Sequence, residues 1–424
     1  MKADKVRTER IPMHNRIPFL GKDLWTSRTG LTLATTLLFA VVATRTAQAQ
    51  TYSVLYSFKG KPDGAGSVAG LIRDGLGNLY GTTAGGGNVG LGTVFKLDKT
   101  GKETVLYNWG SYGSLVQDST GTLYGTTVNG GVHTQGSVFK IDKTGKETDI
   151  YDFTGTGGDG SNPKAGLVRD LNGNLYGTTQ LGGNLTCLSG TGCGTVFEVD
   201  ATGKETILYK FTGTGGDGAN PIAPVLRDAK GNLYGTTPSG GNVSCEFLSG
   251  CGTVFRVDKT GHETVLYNFR GYLGSGDGAE PAAGLVRDTA GHLYGTTVYG
   301  GGFGAGSVFE IVGAGKETRL YSFCSSTGCP NGGTPTGSLL RDAAGNLYGT
   351  TESGGTFYYG TVFKLDPSGQ ETVLYNFTGG ADGGYPEGNL IMDKLGNLYG
   401  TTYLGGDLAC GSGSGCGVVF KLTP

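Results

Sequence analysis

The sequence predicts an all-β protein: a seven-bladed β-propeller with four antiparallel strands per blade, its ring closed by the N-terminal strand completing the last blade. Three observations carry this. "LY" followed by "GTT" recurs seven times, at Tyr80, Tyr124, Tyr176, Tyr234, Tyr294, Tyr348 and Tyr399, at intervals of 44 to 60 residues, and self-similarity at such a period marks a repeat architecture. Each unit holds four short runs rich in Val, Ile, Leu, Tyr, Phe and Thr, which suits a propeller blade. The ends are complementary: Thr51–Phe58 ("TYSVLYSF") copies a fourth run, and Gly417–Pro424 ("GVVFKLTP") is a third run with no fourth after it.

The third unit justifies the strands in order. "AGLVRD", ending at Asp170, is the first and innermost. "DLNGN" then turns the chain in a tight hairpin: Asp caps the turn with its carboxylate and Gly takes positive φ. "NLYGTT", ending at Thr179, is the second strand, with Gly permitting a bulge or close packing. "GTVFEVD", ending at Asp200, and "ETILYKF", ending at Phe211, are the third and fourth, joined by another tight hairpin. Val196, Phe197 and Val199, like Ile207, Leu208, Tyr209 and Phe211, put apolar groups on both faces, as sheets packed on both sides require. The repeated Asp and Tyr therefore read as architecture.

The first fifty residues differ. Basic residues precede the apolar run Leu31–Ala43, and Ala47 and Ala49 form a small-x-small site. This is the pattern of a secretory signal peptide, over residues 1–49, leaving 50–424 as a single propeller domain. The run is short for a membrane span, so no span is expected after cleavage, and the protein is expected outside the cytoplasm, in the periplasm, medium or cell surface. The eight cysteines form four close pairs, Cys187/Cys193, Cys245/Cys251, Cys324/Cys329 and Cys410/Cys416. In an exported chain, at spacings longer than those of zinc sites and with no His beside them, they read as disulfides. A net charge of −2 gives no footprint for nucleic acid.

The unit "GNLYGTT…GG…GTVFKLD..GKETVLYNF" resembles the GloVer tandem repeat of secreted or surface-anchored bacterial propellers, and the resemblance covers nearly all of Thr51–Pro424. It implies the fold and an extracellular location, and brings no catalytic residues. The chain ends at Pro424 just after the last strand, so the C-terminal anchor of many such proteins is not expected.

Alternating strands place both tight hairpins on one face. The second-to-third and fourth-to-first connections share the other, which takes the cysteine pairs and nearly all the length variation. Variable loops on a rigid scaffold are where function is expected. Their recurring "DGxxP" phrase supplies Asp159, Asp217, Asp277 and Asp382, with Asp63 in a variant and Asn331 substituting in the sixth unit. These offer either a carboxylate ring for Ca²⁺ or Asx-type turns. Calcium wants six to eight oxygens, so turns are expected and no cofactor. Loop aromatics Tyr299, Phe303, Tyr358, Tyr359, Tyr385 and Tyr403, with Tyr112, Phe247, Tyr272 and Phe357, suit hydroxyl-rich ligands or protein partners.

No catalytic residue stands out, since only His133 of the four histidines lies in a variable loop and no P-loop or HExxH is present. The expected function is a monomeric binding or scaffold module for an extracellular glycan or protein. The alternatives are a polysaccharide hydrolase or lyase using loop acids such as Glu246, Glu280, Glu352 and Asp407, and a structural envelope protein.

Overall fold

The computed structural model describes residues 50–109, 111–241, 245, 249–271, 276–313 and 315–423. The expected signal peptide, Phe247, Tyr272 and Glu246 lie outside them. Seven four-stranded antiparallel sheets make the seven blades. Blade 1 runs outward from Ile72–Arg73 through Leu79–Thr83 and Thr93–Leu97 to Glu103–Tyr107. Blades 2 to 6 repeat this order, their inner strands starting at Val116, Val168, Leu226, Val286 and Leu340. Blade 7 takes Ile391–Met392, Leu398–Thr401 and Val418–Thr423 from the end of the chain and Thr51–Ser57 from its beginning, with Tyr52 opposite Leu422 and Val54 opposite Phe420. The N-terminal strand thus closes the ring and covers an edge that would otherwise be free.

The inner strands are shorter than expected. "AGLVRD" contributes only Val168–Arg169 to the ladder. Near the axis seven chains converge and backbones touch: a Cβ on Gly113 would stand 2.4 Å from the Ala165 carbonyl carbon, and one on Gly166 2.7 Å from the Ser114 oxygen. That segment packs against the next blade instead of pairing.

The repeated words are inter-blade clips. In "GTT" the glycine leaves room for the third-strand Phe, since a Cβ on Gly81 would lie 2.7 Å from Phe95 Cζ. The first Thr donates its hydroxyl to the next blade, as Thr126 does to the Ala165 carbonyl at 2.9 Å and Thr401 to that of Ala69 at 3.2 Å. The second Thr bonds the third strand, Thr83 to Thr93 at 2.9 Å. Phe58, Phe153, Phe211, Phe269, Phe323 and Phe377, each fully buried after an outer strand, meet the third-strand Phe of the following blade edge-on, at 5.0 to 5.4 Å.

On the hairpin face, Asp170 accepts from the N–H groups of Asn172 and Asn174 at 2.9 Å and from Tyr176 Oη at 3.2 Å, and Gly173 has φ +95°. The next blade's Arg covers that tyrosine. Arg73 lies over Tyr399, Arg169 over Tyr124, Arg227 over Tyr176, Arg287 over Tyr234 and Arg341 over Tyr294, at 5.1 to 5.8 Å. Where Gln117 and Met392 replace the Arg, Lys96 and Lys364 cover Tyr80 and Tyr348 from their own blades. The hairpin face is thereby occupied with holding blades together.

Candidate functional site on the variable-loop face

The four disulfides pair as expected, Cys187–Cys193, Cys245–Cys251, Cys324–Cys329 and Cys410–Cys416, each within its own loop, and two of them pack against the adjoining connection. A Cβ on Gly213 would lie 2.9 Å from Cys193 Sγ, and one on Gly60 3.0 Å from Cys410 Sγ.

The "DGxxP" carboxylates point into their own loops. Asp159 accepts from Tyr151 Oη at 3.2 Å, from the Thr154 N–H at 2.7 Å and from its hydroxyl at 2.8 Å. Asp217 repeats the set with Tyr209 and Thr212, Asp277 binds Tyr267 and the Arg270 N–H, and Asp382 binds Tyr375 and Thr378. Each ties an outer-strand tyrosine to the turn that leads inward. Among the described residues no three His, Cys, Asp or Glu side chains converge as metal ligands would.

The residue before each Pro is left-handed: Asn162, Asn220, Glu280, Thr334 and Tyr385 have φ between +50° and +58°. That conformation costs ~1–3 kcal/mol, and pre-proline crowding disfavours it further. It is held because both backbone groups are used. The Tyr385 N–H donates to Tyr359 O at 2.9 Å and its carbonyl accepts from the Tyr403 N–H at 3.0 Å.

That stitching joins three of the predicted residues. Tyr359 and Tyr385 meet edge-on at 5.5 Å, and Tyr403 follows on blade 7 through the backbone bond; the Tyr358 hydroxyl instead faces Gly328. The Tyr403 ring lies against Gly66 of the next junction, where a Cβ would stand 2.7 Å from Cε2. Tyr299 and Phe303 stand apart on blade 5's own loop, Tyr299 paired to Ala279 through two backbone hydrogen bonds and Phe303 exposed.

Beside Tyr403 is a groove of about 280 Å³, lined by Ala65, Gly66, Ala84, Gly85, Tyr112, Tyr403, Leu404, Gly411, Gly415 and Cys416. Tyr112 is also part of the wall of a cavity of about 80 Å³ on the propeller axis, to which every blade contributes. Its ring is Val68, Tyr112, Lys164, Ile222, Ala282, Thr336 and Glu387, five of them the residue immediately after the loop Pro. Glu387 and Lys164 were therefore readable from their place after that inward turn, but carry no motif of their own. Burial, and then the Glu352 carboxylate, push the Glu387 carboxyl up to about 7. Burial raises Glu352 and Glu280 as well.

Seven repeat-built blades, with clips on one face and stapled, aromatic-bearing loops on the other, define a repeat propeller. The chain belongs to the Gloeobacter/Verrucomicrobia repeat family, whose pattern matches residues 39–188, 110–276 and 243–424. No curated protein matches it. Among solved structures it is similar to the extracellular domain of a protein described as a hybrid two component system from B. thetaiotaomicron, at 15% identity and TM-score 0.54, covering 85% of this chain and 39% of that one. The chain thus spans about two fifths of that structure's length. It is also similar to a protein described as a 6-phosphogluconolactonase from Bacteroides uniformis (15% identity, TM-score 0.46, 76% and 88% covered) and to a luciferin-regenerating enzyme (13%, TM-score 0.42, 87% and 95%). At these identities the likeness is one of fold.

Proposed function

We propose that the protein is an exported, monomeric binding module that holds an extracellular glycan or protein on its variable-loop face. One observation carries this reading: every exposed aromatic among the described residues, Tyr112, Phe303, Phe357, Tyr358, Tyr359 and Tyr403, stands on that face, while the exposed apolar groups of the hairpin face are the leucines Leu76, Leu171 and Leu395. Aromatic rings on pre-ordered loops lose little entropy on binding. No helix among the described residues is long and apolar enough to cross a membrane. The test is binding of the purified chain to an oligosaccharide array and to extracellular proteins in pull-down, with Tyr299, Tyr358 and Tyr359 replaced together by Ala. The triple variant should keep its Tm within a few degrees and lose ~2 kcal/mol or more of affinity. Normal binding by this variant, with loss on Leu171→Ala instead, would place the site on the wrong face.

A second reading, cleavage of polysaccharide, has one observation behind it, the half-buried Glu387 carboxyl in the wall of the axial cavity. Release of reducing ends by the wild type and none by Glu387→Gln would establish it.

A further inference from the structure

Sequence asymmetry opens the loop face at one place. The connection from blade 1 to blade 2, residues 108–115, lacks the "DGxxP" phrase or either of its variants, "DGAGS" at Asp63 and "NGGTP" at Asn331, that the other junctions carry. Tyr112 takes the place that the residue after Pro takes elsewhere, 47% exposed, and is shared by the axial cavity and the lateral groove. Groove and cavity adjoin at Tyr112, and side by side they span from the blade 7 loop to the axis.

The two have a definite chemistry. The groove carries two partly exposed phenol rings, Tyr112 and Tyr403, over a floor where Gly66, Gly85, Gly411 and Gly415 present bare backbone. The axial cavity gathers Ser114, Ser338, Asn389, Lys164, Thr336 and Glu387. The Thr336 hydroxyl is buried there with no hydrogen-bond partner in the protein. Ser338 and Asn389 are held in place, the Ser338 hydroxyl accepting from the Gly284 N–H at 2.8 Å and Asn389 Oδ1 from the Ser338 N–H at 2.6 Å. Lys164 and Glu387 are the charged side chains of this lining, among uncharged hydroxyl and amide groups.

We propose that the groove is a subsite for the end of a neutral oligosaccharide, the terminal sugar stacking on Tyr112 and Tyr403 and directing its hydroxyls toward the polar groups of the axial cavity, which at about 80 Å³ is too small to admit a ring. The inference rests on the binding-module reading and narrows it. A hydroxyl-rich chain matches aromatic faces combined with a few convergent polar groups. About 280 Å³ suits one or two sugar rings, whereas a stable protein interface buries ~1,200–2,000 Å² and calls for a broad patch. Because the axial cavity admits no further ring, a chain entering along the groove ends there, which selects chain ends over chain middles.

The experiment is calorimetric titration of the full chain with cellohexaose, xylohexaose and mannohexaose, alongside the corresponding reduced alditols. Tyr112→Ala and Tyr403→Ala should each weaken binding of the preferred hexaose at least tenfold. Gly85→Leu should do the same by filling the groove; a Cβ there meets only Ala65, at 3.5 Å and beyond, at ordinary contact distance. Leu171→Ala, on the hairpin face, should bind like wild type. Hexaose binding unchanged in Tyr112→Ala and Gly85→Leu, both folded by circular dichroism, would overturn the groove subsite while leaving the loop-face reading intact. So would binding to none of the hexaoses together with capture of a protein partner that Tyr358→Ala abolishes. Loss of that capture in Leu171→Ala alone would instead overturn the loop-face reading.

Discussion

At the residue scale, the repeated letters each have one physical task. Asp170 collects four hydrogen bonds in its hairpin and faces Arg227 Nη2 at 3.7 Å, so it holds its own turn and the next blade. Asp170→Ala removes the acceptor and leaves Tyr176 Oη with Glu198 alone, at 3.2 Å. Stability should fall by about 1–2 kcal/mol, read as a lower midpoint in urea with unchanged slope, and ligand affinity should be unaffected. An unchanged midpoint would mean that the hairpin clip does not matter. These tasks were legible because Asp, Gly and Tyr stand at fixed offsets in every copy. Tyr358, Tyr359, Tyr385 and Tyr403 were legible as loop aromatics, but the linkage of Tyr359, Tyr385 and Tyr403 was not, because it depends on the left-handed backbone of Tyr385 joining two blades. The Thr126-to-Ala165 clip was equally hidden, since a Thr in a strand reads as ordinary β propensity.

At the element scale, the outer strands share a buried acid. Glu103, Glu147, Glu205, Glu263, Glu317 and Glu371 each keep one carboxylate oxygen buried without a partner in the protein, and Tyr321 Oη of blade 5 donates to Glu371 Oε2 of blade 6 at 3.3 Å. Burial, reinforced by Asp63, Asp159, Asp217 and Asp277 respectively, pushes Glu103, Glu205, Glu263 and Glu317 up to about 7, and burial does the same to Glu371. The folded chain therefore binds more protons than the unfolded chain between about pH 4.5 and 7. Stability must fall as pH rises through that window and level off above it. The hairpin aspartates act oppositely. Hydrogen bonds from the turns outweigh burial and hold Asp74, Asp228, Asp342 and Asp393 below their ordinary range, so their contribution is lost as pH falls below about 3.8. The two sets place the optimum at about pH 4 to 5. Tm should be higher at pH 5 than at pH 8, and Glu-to-Gln changes at positions 205, 263 and 317 should flatten that difference. A Tm that rises from pH 5 to pH 8 would contradict the assignment.

At the scale of the whole molecule, one departure from the repeat marks the closure. Where the other outer strands begin with Glu, the N-terminal strand places Tyr52. Its ring stacks on Tyr375 of blade 6 at 3.9 Å, and its hydroxyl donates to the Asp382 carbonyl at 2.5 Å. The complementary ends made the closed ring legible, whereas this aromatic substitution needs the assembled junction to be understood. Closure fixes the two faces relative to each other: hairpins and Arg–Tyr clips on one, stapled aromatic loops and the axial mouth on the other. The division of labour between the faces is the central claim, and hydrogen-exchange mass spectrometry, with and without the tightest array ligand, tests it most directly. The account predicts slowed exchange in the loop segments around 84–92, 111–114, 352–360, 378–388 and 402–416, with the hairpins at 74–78, 170–174 and 393–397 unchanged. Protection confined to those hairpins would contradict it.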